Sequence, residues 1–246
     1  MSEENIGLQD QKRWKKRIDG TASIDIQGDE LSMTMGPSEA LYYSNAELSD
    51  GEFETLPWSF PTMEATASIQ EHFGSAGLGF WNHSMLLGGA NPVWFVYLRA
   101  AGKYPLAGLY AQAGVYFAPV ATDAGIGHWA TAALTRVIGR RLGAILLTGK
   151  PSMRGLNVEE EHRYSIHLRR GHAEFHVDEQ LAASLPLEKK TRFRADLWTD
   201  NAVFTASRND PGGVYRHATQ ENQTTSTMRV KDLVLHEGKG QERYAY

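Results

Sequence analysis

Short segments in which apolar and polar residues alternate are the feature that most restricts how this chain can fold. In "TMEATASIQ" (62–70), apolar residues occupy every second position from Met63 to Ile69, with threonine, serine and Glu64 between them. An antiparallel sheet with one buried and one solvated face produces this period of two. Similar segments recur along the chain between Gly, Asp, Asn and Pro residues. The pattern predicts an all-β fold, a two-sheet antiparallel sandwich or jelly roll.

Turn signals place several of the predicted strands. The segment "RYSIHLRRGHAEFHVDEQL" (163–181) predicts a hairpin that turns at Arg170 and Gly171. The triplet "GDE" (28–30) separates two further alternating segments, and "RADLWTDNAV" and "TSTMRVKDLVLH" predict late strands.

One segment departs from the β pattern. "WATAALTRVIGRRLGAILL" (129–147) combines helix-forming residues with an apolar stripe, and it could be two strands around "GRR" or a helix. We predict a short helical insertion around residues 130–147. No repeat or low-complexity linker divides the chain, so residues 1–246 are predicted to form a single domain.

Charge and composition exclude several classes of protein. The net charge is −4 and the pI is about 6.1, so no overall positive field attracts nucleic acid. The absence of cysteine excludes disulfides and thiolate chemistry and fits a reducing compartment. The N-terminal residues are acidic and polar, and the central apolar run "LGAILL" is too short to span a bilayer. We expect a cytoplasmic protein without nucleic-acid or membrane partners; the oligomeric state stays open.

Several stretches, taken in order, resemble the concanavalin A-like lectin/glucanase superfamily, and in particular its little-characterised bacterial members of this length. The matching stretches are "LPWSFPTMEATASI", "GSAGLGFWNHSM", "PVWFVY", "GHWATAAL", "EEHRYSIHLRRGHAEFHVD" and "FRADLWTDNAV", which cover most of residues 40–205. The resemblance implies a two-sheet jelly roll with a concave face that commonly binds carbohydrate or another small molecule. It also implies a helical, apolar tract before the 163–181 hairpin.

The sequence departs from the superfamily in two places. Glucanases carry Glu-x-Asp-x-Glu on one strand, and no such triplet occurs here. Because a retaining mechanism needs two carboxylates presented into one groove, its absence argues against a retaining glucanase. The second departure is "VDEQ" (177–180), where relatives usually turn on "VDG".

Three residues are candidate acid–base groups: Glu64, His83 and Asp200. Glu64 lies on the polar side of its alternating segment and is a candidate acid or base if that side lines the groove. A solvated carboxylate is the alternative. Asp200 shares a strand face with Trp198, and Asn201 follows it, although this pair could instead cap a turn.

The stretch "GLGFWNHSML" (77–86) predicts a strand with two different faces. Alternation places Leu78, Phe80 and Asn82 on one face, and Gly77, Gly79, Trp81 and His83 on the other. Glycines that lack Cβ atoms allow a ligand or another backbone to approach closely. We therefore predict that the second face borders a ligand, although Trp81 could equally fill the core. The predicted substrate-binding residues are Trp81, Asn82, Trp94, Tyr97, His128, Trp129, Trp198 and Asn201.

We predict neither a metal nor a cofactor. His167, His172 and His176 fall within one predicted hairpin, and histidines across a hairpin can bind zinc. An exposed polar face gives the same pattern, and the glycine-rich segments lack the Lys-Ser/Thr of a phosphate loop.

Two functions from different classes fit these residues. In the first, the protein is an intracellular, cofactor-independent enzyme that cyclises, isomerises or hydrates a small, partly apolar molecule in an aromatic groove. In the second, it is a carbohydrate-binding protein or an atypical glycoside hydrolase. The ligand is accordingly expected to be a small molecule or a carbohydrate, and fold resemblance alone does not choose between them.

Overall fold

The computed structural model describes residues 5–39, 42–52, 55–82, 91–99, 108–122, 146–147, 149–187, 192–202 and 222–238. All regular secondary structure in these ranges is β strand, arranged in two sheets of eight and seven strands. None of the described residues forms a helix long and apolar enough to cross a membrane.

Both sheets combine strands that are distant in the chain. The eight-stranded sheet contains, in spatial order, β1 (Lys15–Asp19), β4 (Asn45–Ser49), β14 (Arg194–Asp200), β6 (Ser75–Trp81), β7 (Val93–Leu98), β8 (Gly108–Ala113), β9 (Tyr116–Ala121) and β10 (Leu146–Leu147). The seven-stranded sheet contains β13 (Gln180–Pro186), β12 (His172–Val177), β11 (His162–Arg169), β5 (Pro61–Gln70), β15 (Ser226–Glu237), β3 (Glu30–Met35) and β2 (Ala22–Gln27). This architecture confirms the predicted two-sheet sandwich.

The core lies between the sheets and is built by the alternating residues. On β5, Met63 and Ala65 are buried in it, while Glu64 between them is partly exposed. Phe95 of β7 meets Phe175 of β12 across the sandwich, with ring centroids 5.3 Å apart in an edge arrangement. Burial of each such side chain contributes about 1.5–3 kcal/mol, so the contact between the sheets is a main source of the stability of the fold.

The hairpin predictions are confirmed. Arg169 of β11 pairs with His172 of β12 around the turn at Arg170 and Gly171. Gly28 and Asp29 connect β2 to β3.

The prediction of a helical insertion is wrong at its C-terminal end. Leu146 and Leu147 form strand β10, which pairs in parallel with β9, whereas the other strand pairs are antiparallel. Residues 130–145 of the predicted helix lie outside the described residues. The residues around Leu146 and Leu147 favour a helix by composition. Helix propensity is weak, however, and the hydrogen bonds to β9 at the edge of the sheet override it.

The outer faces of the two sheets differ. The outer face of the eight-stranded sheet carries a second apolar cluster that contains Val96, Tyr110 and Trp198, with Trp94 packed against it. We call this surface the tryptophan face. The outer face of the seven-stranded sheet instead carries polar side chains of β5, β11 and β15.

Candidate functional site

Strand β14 places three charged side chains and one tryptophan on the tryptophan face. In "RADLWTD", Ala195 and Leu197 enter the core between the sheets. Because successive side chains of a strand point to opposite faces, the intervening residues point outward. These residues are Arg194, Asp196, Trp198 and Asp200.

The neighbouring strands fix what lies beside each of these side chains. Trp198 pairs with Gly77 of β6 on one side and with Glu47 of β4 on the other. Asp196 pairs with Gly79 and with Ser49 in the same way. Directly paired residues share a sheet face, so Glu47 joins the tryptophan face although it was not among the predicted site residues.

The space above the two glycines of β6 is filled by the chain itself. A Cβ atom on Gly77 would lie 2.2 Å from the Trp198 ring, and one on Gly79 would lie 2.5 Å from the Trp94 Cα. The prediction that glycines here permit a close approach is therefore confirmed for a backbone and a side chain. The expectation that this space is open to a ligand is wrong.

Three tryptophans form a connected group. The ring centroids of Trp94 and Trp198 are 4.3 Å apart, and those of Trp81 and Trp94 are 5.7 Å apart. Trp198 is buried, at 8% exposure, whereas Trp81 and Trp94 are partly exposed. Trp94 Nε1 donates a hydrogen bond of 2.6 Å to Gln112 Oε1, which fixes the ring. The two partly exposed rings are thus aromatic surfaces that a ligand can contact.

Asp196 is a buried carboxyl group without a full set of partners. It is 1% exposed, and its Oδ1 atom makes no hydrogen bond within the part of the chain that the structure describes. Burial raises the pKa of Asp196 well above its usual range, the negative charge of Glu47 raises it further, and Arg194 lowers it. A raised pKa favours the protonated form of a carboxyl group, and that form can donate a proton.

Glu47 is the partly exposed carboxylate next to this acid. Because Asp196 pairs with Ser49, two residues from Glu47, the two acids are diagonal neighbours on adjacent strands. The backbones of diagonal neighbours in antiparallel sheets stand roughly 7–8 Å apart, so the two side chains are close enough to act on one ligand. Between their two carboxyl groups, retaining glycosidases have about 5–5.5 Å and inverting glycosidases about 6.5–9.5 Å.

The side chain of Asp200 is held in place by hydrogen bonds from neighbouring residues. Its Oδ1 atom accepts hydrogen bonds from Ser75 Oγ at 2.8 Å, Ala202 N at 2.9 Å and Ser75 N at 3.3 Å. Burial raises the pKa of Asp200 to about 7, against the lowering effect of these hydrogen bonds. The structure places Asp200 beside Trp198, as predicted; its catalytic role stays a prediction.

Glu64 does not share this face. It lies on β5 of the seven-stranded sheet, points outward, and forms an ion pair of 2.6 Å with Arg163. The sandwich core therefore separates Glu64 from Trp81, which corrects the expectation that the two line one groove. The polar side of β5 is the outer surface of the other sheet, and alternation alone does not distinguish the two outer faces.

Three further predicted binding residues are held by contacts within the protein. Tyr97 packs against the core cluster, on the opposite side of β7 from Trp94. Asn82 is buried, and its Oδ1 accepts a hydrogen bond from Asn91 N. Asn201 is buried and bonds Ser44 N at 2.9 Å through Oδ1, which matches the alternative of a structural cap.

The remaining predictions fall elsewhere. His83, His128 and Trp129 lie outside the described residues. His167 and His176 share the outer face of the seven-stranded sheet, with ring centroids 5.3 Å apart. Within the described ranges, no group of three or more His, Asp or Glu side chains is arranged to hold a metal ion.

The outer face of the seven-stranded sheet also carries a polar groove of about 280 Å³. Ser32, Ser68, Arg229 and Lys231 are among its lining residues, and no aromatic side chain is. It therefore lacks a stacking surface of the kind that the tryptophan face provides.

Sequence reasoning missed Glu47 and Asp196. Asp196 was within reach, because it stands two residues before Trp198 and shares its strand face. Glu47 gave no comparable signal: "NAELS" is five residues long. Its position beside Asp196, 149 residues further along the chain (196 − 47), depends on the pairing of β4 with β14.

No protein-family model and no curated protein matches the sequence. Solved structures do match in shape. A laminarinase from Flavobacterium sp. UMI-01 aligns with a TM-score of 0.54 and 11% identity, covering 96% of this chain and 99% of that one. The catalytic domain of an endo-1,3-beta-glucanase (laminarinase) from Thermotoga petrophila RKU-1 gives 0.53 and 15%, covering 96% and 97%. The Crh5 transglycosylase in complex with NAG gives 0.51 and 12%, covering 97% and 85%.

These similarities establish the fold. The chain has the concanavalin A-like jelly-roll architecture that its sequence motifs implied. At such low identity, the function must be argued from the residues of the site itself.

Proposed function

We propose that the protein binds a glycan on the tryptophan face and cleaves a glycosidic bond there, with Asp196 as the general acid and Glu47 as the base or nucleophile. The observation that carries the proposal is the buried, incompletely bonded carboxyl group of Asp196 next to the more exposed Glu47. A pair of carboxyl groups in unlike surroundings is the arrangement that glycoside cleavage requires.

The aromatic rings supply the binding surface in this proposal. Trp81 and Trp94 are partly exposed on strands adjacent to each other and close to β14. Indole rings offer large, rigid contact area, and the apolar face of a sugar ring can pack on them. Arg194 lies over the Trp81 ring at 5.4 Å and restricts how that ring can turn.

The two acids take different parts in the reaction. The surroundings of Asp196 disfavour its charged form, so Asp196 would serve as the acid that donates a proton to the leaving glycosidic oxygen. Glu47 would attack the anomeric carbon or activate a water molecule from the other side. With two acids on neighbouring strands, the absence of the Glu-x-Asp-x-Glu triplet no longer argues against acid-pair chemistry.

Two observations favour the carbohydrate-active hypothesis over a cyclase or isomerase of small molecules. The latter relied on Glu64 acting together with groove residues, and Glu64 lies on the opposite sheet. The similarity in fold to laminarinases and to a transglycosylase adds support for a glycan ligand. Cytoplasmic location and single-domain organisation stay predictions from the sequence.

The test is release of new reducing ends from a panel of polysaccharides that begins with laminarin. Glu47→Gln and Asp196→Asn should each lower the rate at least about 100-fold, as expected when an acid–base group is removed. Glu64→Gln is the matched control and should keep the wild-type rate, because it lies on the other sheet. Unchanged activity in Glu47→Gln, or loss in Glu64→Gln alone, contradicts the proposal.

A further inference from the structure

A chain of contacts connects Asp200 to the exposed aromatic surface. Asp200 Oδ1 accepts the hydroxyl proton of Ser75 at 2.8 Å. Ser75 Oγ in turn accepts a hydrogen bond of 3.5 Å from Trp198 Nε1. A hydroxyl group carries one proton, so a hydroxyl that donates to Asp200 presents its lone pairs to the indole N–H.

Trp198, which is oriented by Ser75, in turn contacts Trp94. Its ring fills the position above Gly77 and lies 4.3 Å from Trp94, centroid to centroid. Trp94 is the partly exposed ring, and Gln112 holds its other side by accepting a bond from its indole N–H. The orientation of Trp94 is thus set from two sides, by Gln112 and by Trp198.

We propose that Asp200 is a positioning residue for the glycan-binding surface: through Ser75 and Trp198 it fixes the orientation of Trp94. This inference rests on the proposed function for its biological consequence, whereas its structural content concerns the unliganded protein. Asp200 would therefore act through other side chains rather than on the reacting atoms.

The hydrogen bonds that connect Asp200, Ser75 and Trp198 depend on the charge of Asp200. An ionised carboxylate holds the Ser75 hydroxyl proton more strongly than a neutral carboxyl group does. The bond from Trp198 to Ser75 is long, so a small displacement of Ser75 Oγ makes or breaks it. Because burial raises the pKa of Asp200 to about 7, the carboxyl group changes charge near neutral pH.

The other titratable groups around Asp200 are few among the described residues. Asn45, which faces it from β4, is uncharged. The Tyr43 phenol interacts with Asp200, and burial, before any charge effect, raises its pKa well above the ordinary value. His72, which hydrogen-bonds the Ser75 backbone, has a pKa lowered to about 4 by burial. On the same face, Asp196 stands four residues along β14, and Glu47 two residues along β4 from Asn45.

The experiment is a pH titration, from 5.5 to 8.5, of the near-ultraviolet circular dichroism and tryptophan fluorescence of the unliganded protein. A Trp58→Phe background removes the indole that hydrogen-bonds Asp50, a second buried carboxyl group. The Trp58→Phe protein, in which Asp200 and Ser75 are unchanged, should give a signal that titrates with a midpoint near pH 7. Asp200→Asn, which cannot ionise, and Ser75→Ala, which breaks the relay but leaves Asp200, should both lose the transition. Ser75→Ala also serves where Asp200→Asn fails to fold.

Glycan binding gives the second measurement. Affinity should be about threefold to tenfold weaker at pH 6 than at pH 8, the effect of losing one hydrogen bond, and should be independent of pH in both variants. In turnover, Asp200→Asn should raise KM more than it lowers kcat. A tryptophan transition that persists in Ser75→Ala, or is missing in the parent protein, overturns the inference. Absence of glycan binding beside a normal transition instead overturns the proposed function alone.

Discussion

At the scale of single residues, the site depends on positions where no side chain is present. Gly77 and Gly79 leave room for Trp198 and for the backbone at Trp94, and this brings the tryptophans together. A glycine in a strand interior weakens the strand by itself, so its presence marks such a close approach.

Gly77→Ala should displace Trp198, because its Cβ atom would lie 2.2 Å from the ring. We expect a loss of about 1–3 kcal/mol in the free energy of unfolding, the usual cost of overpacking, together with a shifted tryptophan emission maximum. Denaturant unfolding followed by fluorescence measures both. Gly36→Ala is the matched control, since its Cβ atom would be 3.4 Å from Thr21 O, an ordinary contact. Equal behaviour of the two variants would show that Trp198 does not occupy this space.

Asp196 gives a prediction about stability and pH. Its folded-state pKa is raised, so the folded protein holds a proton that the unfolded chain loses above about pH 4. The stability that this proton contributes is complete below that pH and declines as pH rises toward the folded pKa. Asp196→Asn removes the titration, so its stability relative to wild type should increase from pH 4 to pH 8.

Urea unfolding at pH 4, 6 and 8 measures this difference. Asp29→Asn, in the exposed turn between β2 and β3, is the matched control for replacing a carboxyl group with an amide. A constant difference between Asp196→Asn and wild type would mean that Asp196 is ionised in the folded protein, and it could not then act as the general acid.

At the scale of elements, alternation predicted which residues of each strand enter the core but not which sheet a strand joins. For β5 it correctly separated Met63 and Ala65 from Glu64, yet it gave no information on which outer face Glu64 occupies. For β6 it correctly placed Phe80 in the core and Trp81 on the other side. The site itself required the pairing of β14 with β4 and β6, a long-range contact that a local pattern does not encode.

The turn between β12 and β13 explains the departure at "VDEQ". Asp178 and Glu179 both have positive φ, 48° and 66°, a conformation that glycine adopts without strain. Asp178 makes hydrogen bonds to Arg163 N at 3.0 Å and His162 Nδ1 at 2.7 Å, which offset the strain at its own position. Glu179 therefore occupies a position where glycine would be less strained.

Glu179→Gly should stabilise the protein by about 0.5–1 kcal/mol, because relief of left-handed strain exceeds the added entropy of the unfolded chain. Asp178→Gly should instead destabilise it through the lost hydrogen bonds. Thermal unfolding of the two variants at pH 7 checks the contrast. A lower Tm for Glu179→Gly would mean that the side chain makes a stabilising contact worth more than the strain.

At the scale of the whole molecule, the two outer faces of the sandwich differ in the side chains that they present. The seven-stranded sheet presents polar side chains and ion pairs such as Glu64–Arg163, while the eight-stranded sheet presents tryptophans beside three acids, Glu47, Asp196 and Asp200. The jelly-roll fold and the aromatic part of the site followed from sequence motifs. The acid pair did not, because it is assembled from strands far apart in the chain.

The most direct measurement of the central claim is a crystal structure of the Asp196→Asn variant with an oligosaccharide that the wild-type protein cleaves. We predict sugar rings over Trp81 and Trp94, with a glycosidic oxygen within hydrogen-bonding distance of residue 196 and the anomeric carbon facing Glu47. An oligosaccharide bound to the seven-stranded sheet, beside Glu64 or in the polar groove, would contradict the account.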